Sequence, residues 1–515
     1  MAVVTGRIFA NSYRDSVELM QIAAAIEGRE GIERAGLVMA TPANRDVLAA
    51  AGLLTDVADG AGPNDLVVAV AAVDDASAAA ALDDASARLS GDAGASDSAG
   101  ASTATSASTL AEAVAQLEGA NLALIATPGA YATAETRKAL KRGLHVFLFS
   151  DNVPVADEIE LKALARERGL LLMGPDCGTA ILDGVPLGFA NMVRRGTIGL
   201  AAASGTGLQQ VTCLIDRFGA GVSQAIGIGG RDLDERVGGV MMIDAIDRLA
   251  ADPGTNVIVL ISKPPAPSVA QRVLAAAGKT GKPVVVSLLG GDPDAAVAAG
   301  ATFAETFEDA ARIAAGLGLG APIATPDGTH DSTHGRDTGQ DLPDGFAPGQ
   351  VLVRGLYSGG SLAGEAKLVL RSELGSEAAK THEIIDLGDD EYTVGRPHPM
   401  IDPRLRNETI EATAADPTVA VILLDVVLGT GAHPDPAGVL VPAITAARAT
   451  AAQAGRPIAV VASVCGTEGD PQGLGSQEAT LTAAGVILAS SNARAARIAA
   501  SIVSRLSGAA VGGAA

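Results

Sequence analysis

Thr197-Ile198-Gly199-Leu200-Ala201-Ala202-Ala203-Ser204-Gly205-Thr206-Gly207 and, 154 residues further on, Val351-Leu352-Val353-Arg354-Gly355-Leu356-Tyr357-Ser358-Gly359-Gly360-Ser361 decide the fold. Each is an apolar run of strand length that breaks at Ser-Gly and passes into a helical period. The likeness continues downstream in order. Residues 225–230 with Asp232, and later Ile243-Asp244, match residues 385–388 with Asp389, and later Ile401-Asp402. Asp252-Pro253 and Asp416-Pro417 precede the buried strands 257–261 and 419–426. Lys282-Pro283 and Arg456-Pro457 each open another strand, and both stretches end in Ala-Arg-Ile-Ala-Ala, at 311–315 and 496–500. Ordered matches with slowly drifting offsets indicate a duplicated, doubly wound α/β domain, with copies over 196–318 and 350–508. Apolar strands alternating with helices imply parallel sheets covered on both faces.

Outward from the duplication, residues 110–195 read as strand, helix, strand, helix, strand, a partial Rossmann-like domain. Residues 1–90 alternate short apolar runs with helical patterns and read as a small α/β domain. Between them, 91–109 is almost wholly Ser, Ala, Gly, Asp and Thr, which cannot bury enough apolar surface to offset ordering entropy, so a flexible linker is expected. A second linker, rich in Gly, Asp, Thr and Pro, is expected over 319–349.

Composition narrows the function. The 515 residues include 37 Lys and Arg against 59 Asp and Glu, a net charge of −22 that repels nucleic acid and anionic membranes. With no Trp, four Tyr and eight Phe, platforms for stacking bases are scarce. Cys177, Cys213 and Cys465 lie too far apart for a disulfide framework or a metal knuckle and fit a reducing compartment. The first residues lack a basic segment followed by an apolar run, and apolar strands elsewhere stop short of a membrane span, so a soluble, cytoplasmic protein is expected.

In an open parallel sheet, ligands bind beyond the carboxyl ends of the strands, where helix N-termini present free N–H groups to an anion. Ser204-Gly205-Thr206-Gly207 and the second Gly-rich loop, Ser358-Gly359-Gly360-Ser361, occupy such turns; each reads as a phosphate or carboxylate cradle, or as a tight turn that needs glycine. Gly429-Thr430-Gly431-Ala432-His433 follows a buried strand and sets amides beside an imidazole. His433 suits acid/base work, phosphate ligation or nucleophilic attack, or is a turn histidine bonded to its own loop. In Arg396-Pro397-His398-Pro399, two prolines clamp His398, and the fork of Arg396 suits a carboxylate or phosphate unless it pairs with Asp389 or Asp390. Metal binding by His398, Asp402 and Asp389 has no familiar spacing behind it, and no metal is expected. Cys177, in Gly174-Pro175-Asp176-Cys177-Gly178, reads as a buried filler before a nucleophile.

These motifs resemble a known family. Gly174-Pro175-Asp176-Cys177-Gly178, Gly196-Thr197-Ile198-Gly199-Leu200 with Ser204-Gly205-Thr206, Ile226-Gly227-Ile228-Gly229-Gly230 and Asp252-Pro253 resemble the succinyl-CoA synthetase α subunit. The second copy is similar to the carboxyl-terminal domain of the β subunit. The whole order, with Arg396-Pro397-His398-Pro399-Met400-Ile401-Asp402 and Leu424-Asp425-Val426-Val427-Leu428-Gly429, resembles the FdrA-type fused proteins of that superfamily. The resemblance implies two flavodoxin-like, succinyl-CoA synthetase-like domains behind a Rossmann-like one of the CoA-binding type.

In that superfamily the enzyme carries phosphate on a histidine in a late loop of the α-subunit ligase domain. The corresponding loop here, Gly290-Gly291-Asp292-Pro293, holds none, and the six histidines stand at 145, 330, 334, 382, 398 and 433. The family's glycine-rich CoA turn would fall in the Ser/Ala linker, so no cofactor is assured, CoA being the one the resemblance names. What it implies instead is a component of an oxamate carbamoyltransferase, converting oxalurate and phosphate to oxamate and carbamoyl phosphate in allantoin breakdown. On that reading, Ser204–Gly207 with Gly429–Ala432 hold phosphate, His433 or His398 moves the proton, and Arg396 takes the substrate carboxylate. Separately encoded partner subunits and an oligomer are implied. The alternative is a divergent NDP-forming acyl-CoA synthetase subunit with His433 as phosphate carrier.

Overall fold

A computed structural model describes residues 3–10, 12, 14, 16–55, 60–90, 107–324, 334–335, 340–341, 345–393 and 397–512. The chain forms two units, one of residues 1–120 with 393–397 and one of 121–392 with 398–515. In the first, β1 (Val3–Phe9), β2 (Ile32–Met39) and β3 (Leu66–Ala72) make a sheet of order β1-β3-β2, with β3 antiparallel to both neighbours. All seven residues of β3 are buried, as its Val/Ala run demands of a central strand. Helices Ser16–Glu27 and Asp75–Ser90 contribute Leu19, Ile26, Ala78, Ala81 and Ala85 to the core. Of the expected linker over 91–109, residues 91–106 lie outside the described residues; Thr109 caps the helix Leu110–Gln116 by accepting from the Glu112 N–H.

The second unit begins with β4 (Leu122–Ile125), β5 (His145–Leu148) and β6 (Leu172–Met173), a small parallel sheet with helices Gly129–Lys141 and Val155–Glu167. A buried ion cluster ties it to the next domain. Lys162, 1% exposed, reaches Glu158 and Asp232 at 2.8 Å each, and Asp232 also accepts from the Met241 and Met242 N–H groups at a helix start.

The duplication is seen directly in the strand order. β9 (Arg195–Ala203), β10 (Val222–Gly227), β11 (Val257–Ser262), β12 (Val284–Leu288) and β13 (Thr302–Phe303) are all parallel, in the order β10-β9-β11-β12-β13. After a two-residue pair, β14 (His334–Gly335) with β15 (Gln340–Asp341), the second copy runs β16 (Leu352–Tyr357), β17 (Glu383–Asp386), β18 (Val419–Val427), β19 (Ala459–Cys465) and β20 (Ile487–Ala489). Its order, β17-β16-β18-β19-β20, again all parallel, repeats the first. Both are the flavodoxin-like order, whose switch point lies between the first and third strands. One difference from the sequence reading stands out. β7 (Thr179–Leu182) and β8 (Val185–Gly188) form a hairpin that joins β10 antiparallel, so residues assigned to the half-domain extend the sheet of the first copy to seven strands. Its turn is Asp183-Gly184, both at positive φ (50° and 82°), as a type I′ hairpin requires.

One apolar core spans both copies, holding Leu200, Val211, Phe307 and Ala314 from the first with Tyr357, Leu362, Ala366 and Ala496 from the second. Polar groups buried at the junction are bonded across it. Glu365 accepts from the Phe307 N–H at 2.6 Å and from Asn492 Nδ2 at 2.8 Å, and Arg494 meets Glu308 at 2.7 Å. Asn191 donates to Asp470 at 2.8 Å and to the Leu428 carbonyl at 2.9 Å.

Candidate functional site at the paired helix ends

The two strand-to-helix turns meet. Ser204, at the end of β9, caps the helix Gly205–Arg217 by accepting from the Gly207 N–H at 3.1 Å, and its hydroxyl donates to Ser361 Oγ at 2.6 Å. Gly359, before the helix Gly360–Leu374, lies so close to Thr206 that a Cβ there would come within 2.9 Å of it. The amides of Gly205, Thr206, Gly360 and Ser361 have no partner among the described residues, as first-turn N–H groups await one. Two helix N-termini thus present free donors and like partial charge in one place. Thr179, 1% exposed, keeps its hydroxyl 3.7 Å from the Cβ position of Gly205, without a partner among the described residues.

The copies differ in what else lies there. Pairing of Ala202 with Ile261 and of Leu356 with Leu424 aligns Ser262 with Asp425. Asp425, fully buried, accepts from the Ser358 and Gly359 N–H groups at 2.8 Å each and from Ser358 Oγ at 3.1 Å, and pairs with Arg406 at 3.0 Å. Half of the second Gly-rich loop is therefore filled by the chain's own carboxylate. Burial pushes the Arg406 guanidinium down, opposed by Asp425. In the first copy Ser262 leads into Lys263, an exposed cation with no ion-pair partner among the described residues, its Nζ 3.0 Å from the Cβ position of Gly360. Asp386 Oδ2 crowds the same point, and Asp386 Oδ1 accepts from the Gly388 N–H at 3.0 Å. Burial pushes the Asp386 carboxyl up to about 6, with Lys263 opposing.

The remaining expected site residues fall elsewhere. In the loop 429–433, Thr430 N–H donates to the Ala190 carbonyl at 3.2 Å, Gly429 N–H to Gln472 Oε1 at 3.3 Å, Ala432 N–H to Gly429 at 3.3 Å and His433 N–H to Met400 at 2.8 Å. A cradle by Gly429–Ala432 is thereby corrected: apart from Gly431, these amides are already spent on holding the segment 189–190 and the loop itself. His433 Nδ1 accepts from the Asp435 N–H at 3.0 Å, and the ring lines a cavity with Ser358 of the second Gly-rich turn, Met400, Arg406, Val427 and Leu440. His398 Nδ1 accepts from the Met400 N–H at 3.2 Å; its ring packs on Phe189, 5.9 Å between centroids, and a Cβ on Gly388 would lie 2.6 Å from its Nε2. Burial pushes the His398 imidazole down to about 4. Arg396 lies outside the described residues. No group of three His, Cys, Asp or Glu able to hold a metal occurs among the described residues. All three cysteines are buried, and burial pushes the Cys177 thiol up to about 12, which fits a filler. Among the described residues no helix is long and apolar enough to cross a membrane. Lys263 and Asp386 were passed over in the sequence. Their signal was alignment of strand ends between copies, which places a Lys and an Asp at the mouth of an otherwise small-residue turn.

Comparison with known proteins fits this geometry. Over 498 residues the chain is 41% identical to the uncharacterized protein YahF of Escherichia coli, covering 94% of this chain and 95% of that one. The chain belongs to the FdrA-type proteins of the succinyl-CoA synthetase superfamily. In this FdrA-type chain, a CoA-ligase family model matches residues 356–502 and a CoA-binding domain model matches 194–290, the region of the first copy's Gly-rich turn. The succinate–CoA ligase α-2 subunit of Trichomonas vaginalis is 34% identical over 149 residues, 28% of this chain and 47% of that subunit; the FdrA-type chain thus spans about half its length. A solved structure of PH0766 from Pyrococcus horikoshii aligns over 74% of this chain and 83% of its own, at 17% identity and a TM-score of 0.33. The donors at the helix ends, with the unpartnered Thr179 hydroxyl, fit a phosphate, whether free or carried by a cofactor such as CoA. A third model, described as the AllF heavy metal-associated domain, matches residues 1–107. That segment of the FdrA-type chain contains no Cys and no His, and its soft donors are only the thioethers of Met1, Met20 and Met39, so it lacks the thiolate and imidazole ligands of a heavy-metal site.

Proposed function

We propose that this FdrA-type protein is an acyl-phosphate-handling subunit, most specifically of an oxamate carbamoyltransferase that converts oxalurate and phosphate to oxamate and carbamoyl phosphate. The observation that carries this reading is the meeting of two helix N-termini, with four amides and Lys263 all without a partner among the described residues. Such an end holds a phosphate dianion and stabilises charge on an attacked carbonyl without a phosphorylated protein intermediate. The loop after β12, Leu289 to Pro293, supplies no histidine, and Asp292 there caps a short helix instead. Holding phosphate against a ureido carbonyl converts a bimolecular step into an effectively unimolecular one. Carboxylate-bearing small substrates, separately encoded partner subunits and an oligomeric assembly belong to this reading.

The second reading, an NDP-forming acyl-CoA synthetase subunit, is favoured by the CoA-ligase and CoA-binding matches and by the succinate–CoA ligase relatives. Calorimetry on the purified chain separates the two. Binding of phosphate and carbamoyl phosphate without CoA supports the first, whereas CoA binding together with labelling of the chain by ATP supports the second. With its partner subunits present and folded, failure to form carbamoyl phosphate from oxalurate and phosphate refutes the carbamoyltransferase reading.

A further inference from the structure

We propose that Asp386 is the acid/base residue of the helix-end site, acting beside Lys263, in place of any histidine. The inference rests on the phosphate-site reading above. Geometry carries it. Asp386 ends β17, its Oδ1 is fixed by the Gly388 N–H at 3.0 Å, and its Oδ2 lies against Gly360, whose amide has no partner among the described residues. Lys263 Nζ, from the other copy, lies 3.0 Å from where a Cβ on Gly360 would stand, the point that Asp386 Oδ2 also crowds. His398 and His433 border the second turn without reaching Gly360: His398 Nε2 packs against Gly388, and His433 shares a cavity with Ser358 and Arg406, whereas the side chains against Gly360 are those of Asp386 and Lys263.

Phosphorolysis of a ureido carbonyl needs one proton moved. As a hydrogen phosphate oxygen bonds to the carbonyl carbon, the Asp386 carboxylate takes its proton; as the carbon–nitrogen bond breaks, the departing amide nitrogen takes the proton back. The carboxyl ends as it began, and no further reactant is required. Burial holds this carboxyl near 6, close to where a general acid/base works best. The charged groups facing it are Lys263 just after β11, Asp425 from β18 with its partner Arg406, and Asp389 on its own turn; His398, whose imidazole burial pushes down to about 4, lies nearby against Gly388.

Sulfate, which does not titrate in this range, is the probe for the chain alone. In calorimetry, wild-type affinity for sulfate is expected to rise about tenfold as pH falls from 7.5 to 5.5, because Asp386 must take up a proton beside the anion. Asp386→Asn binds at the tighter level with no slope, Lys263→Met binds at least tenfold more weakly throughout, and His398→Gln keeps the wild-type slope. A slope retained in Asp386→Asn, or abolished in His398→Gln, overturns the proposal. If wild type binds neither sulfate nor phosphate at any pH, the phosphate-site reading fails first. In the assembled enzyme, Asp386→Asn loses roughly 100-fold or more in rate and the acidic limb of the pH profile, and a rate within threefold of wild type with that limb intact also overturns it.

Discussion

Replacing Asp425 by alanine tests the asymmetry between the two copies. The change removes one partner of a buried ion pair, leaves the Arg406 guanidinium buried without its counter-charge, and strands the Ser358 and Gly359 N–H groups. Breaking such a pair from one side costs about 3–5 kcal/mol. At roughly 2–4 °C per kcal/mol for a domain of a few hundred residues, Tm should fall by about 6–20 °C. Taking out both partners, in Asp425→Ala with Arg406→Met, leaves no orphaned charge and should recover about 2 kcal/mol or more of the loss. The cradle vacated by the carboxylate is a better anion site than in wild type, with Arg406 and two amides aimed at it. Sulfate at about 100 times its Kd should then return roughly 2.7 kcal/mol to the single variant. Urea titration with and without sulfate measures both effects, and the quantity that matters is the sulfate shift in the variant minus that in wild type, which cancels general salting effects. A loss under about 1 kcal/mol, or equal sulfate shifts in both proteins, would refute the view that Asp425 fills an anion cradle.

Four further outcomes are expected. Glu365 is pushed up to about 7 by burial, against an ordinary 4.5, so the folded chain keeps a proton that the unfolded chain releases; the stability this gives is whole below about pH 4.5 and is lost as pH rises through about 7. Urea titrations of Glu365→Gln should lack this component, which is worth up to about 1.4 kcal/mol per pH unit between pH 5 and 7. Gly429 has φ of 138° and packs on the Phe189 carbonyl, so Gly429→Ala should lower stability by about 2–4 kcal/mol and raise the proteolytic susceptibility of the segment around residues 188–192. No thiol of the native chain should react quickly with a disulfide reagent at pH 8, since the cysteines are buried and Cys177 would be thiolate in only about one molecule in 10⁴; all three should react in denaturant. Equilibrium dialysis against Zn(II) or Cu(I) should leave no metal bound stoichiometrically to the N-terminal unit, and a bound equivalent displaced by a chelator would contradict the reading of its donor set.

The architecture was legible because duplication writes it twice. Apolar runs ending in Ser-Gly, and Asp-Pro before a buried strand, are consequences of strand length and turn geometry, and both copies returned the same strand order. Less was legible where one pattern serves two structures. Ile243-Asp244 and Ile401-Asp402 look alike, yet the first lies inside the helix Val240–Ala251 and the second precedes the helix Arg404–Thr413. The hairpin at 179–188 was missed although Asp183-Gly184 is a strong turn signal, because its strands are only four residues each. At the site, glycine turns were visible but the fate of their amides was not. Whether an N–H is free depends on groups distant in sequence: Asp425 for Ser358 and Gly359, and the Ala190 carbonyl for Thr430. Histidines drew attention by their chemistry alone, while Lys263 and Asp386 became visible only when β11 and β17 brought them to one glycine.

Two helix ends of like polarity in direct contact repel, each carrying roughly half a positive charge. In the second copy the chain supplies its own counter-charge, through Asp425. In the first, the aligned position is Ser262 and the next residue is Lys263, which adds positive charge instead of removing it. Asp386 offsets part of that excess, yet its own carboxyl is driven toward protonation by burial, so the offset weakens as pH falls. The free protein therefore lacks an internal counter-charge at the first copy's turn, while at the second Asp425 supplies one to the Ser358 and Gly359 amides. A single dianion between the copies would supply the missing one, which is why one ligand per duplicated pair, rather than one per copy, is the stoichiometry this fold favours. Equality of the two copies in anion binding would require a second carboxylate-free cradle, and Asp425 occupies the place where it would have to be.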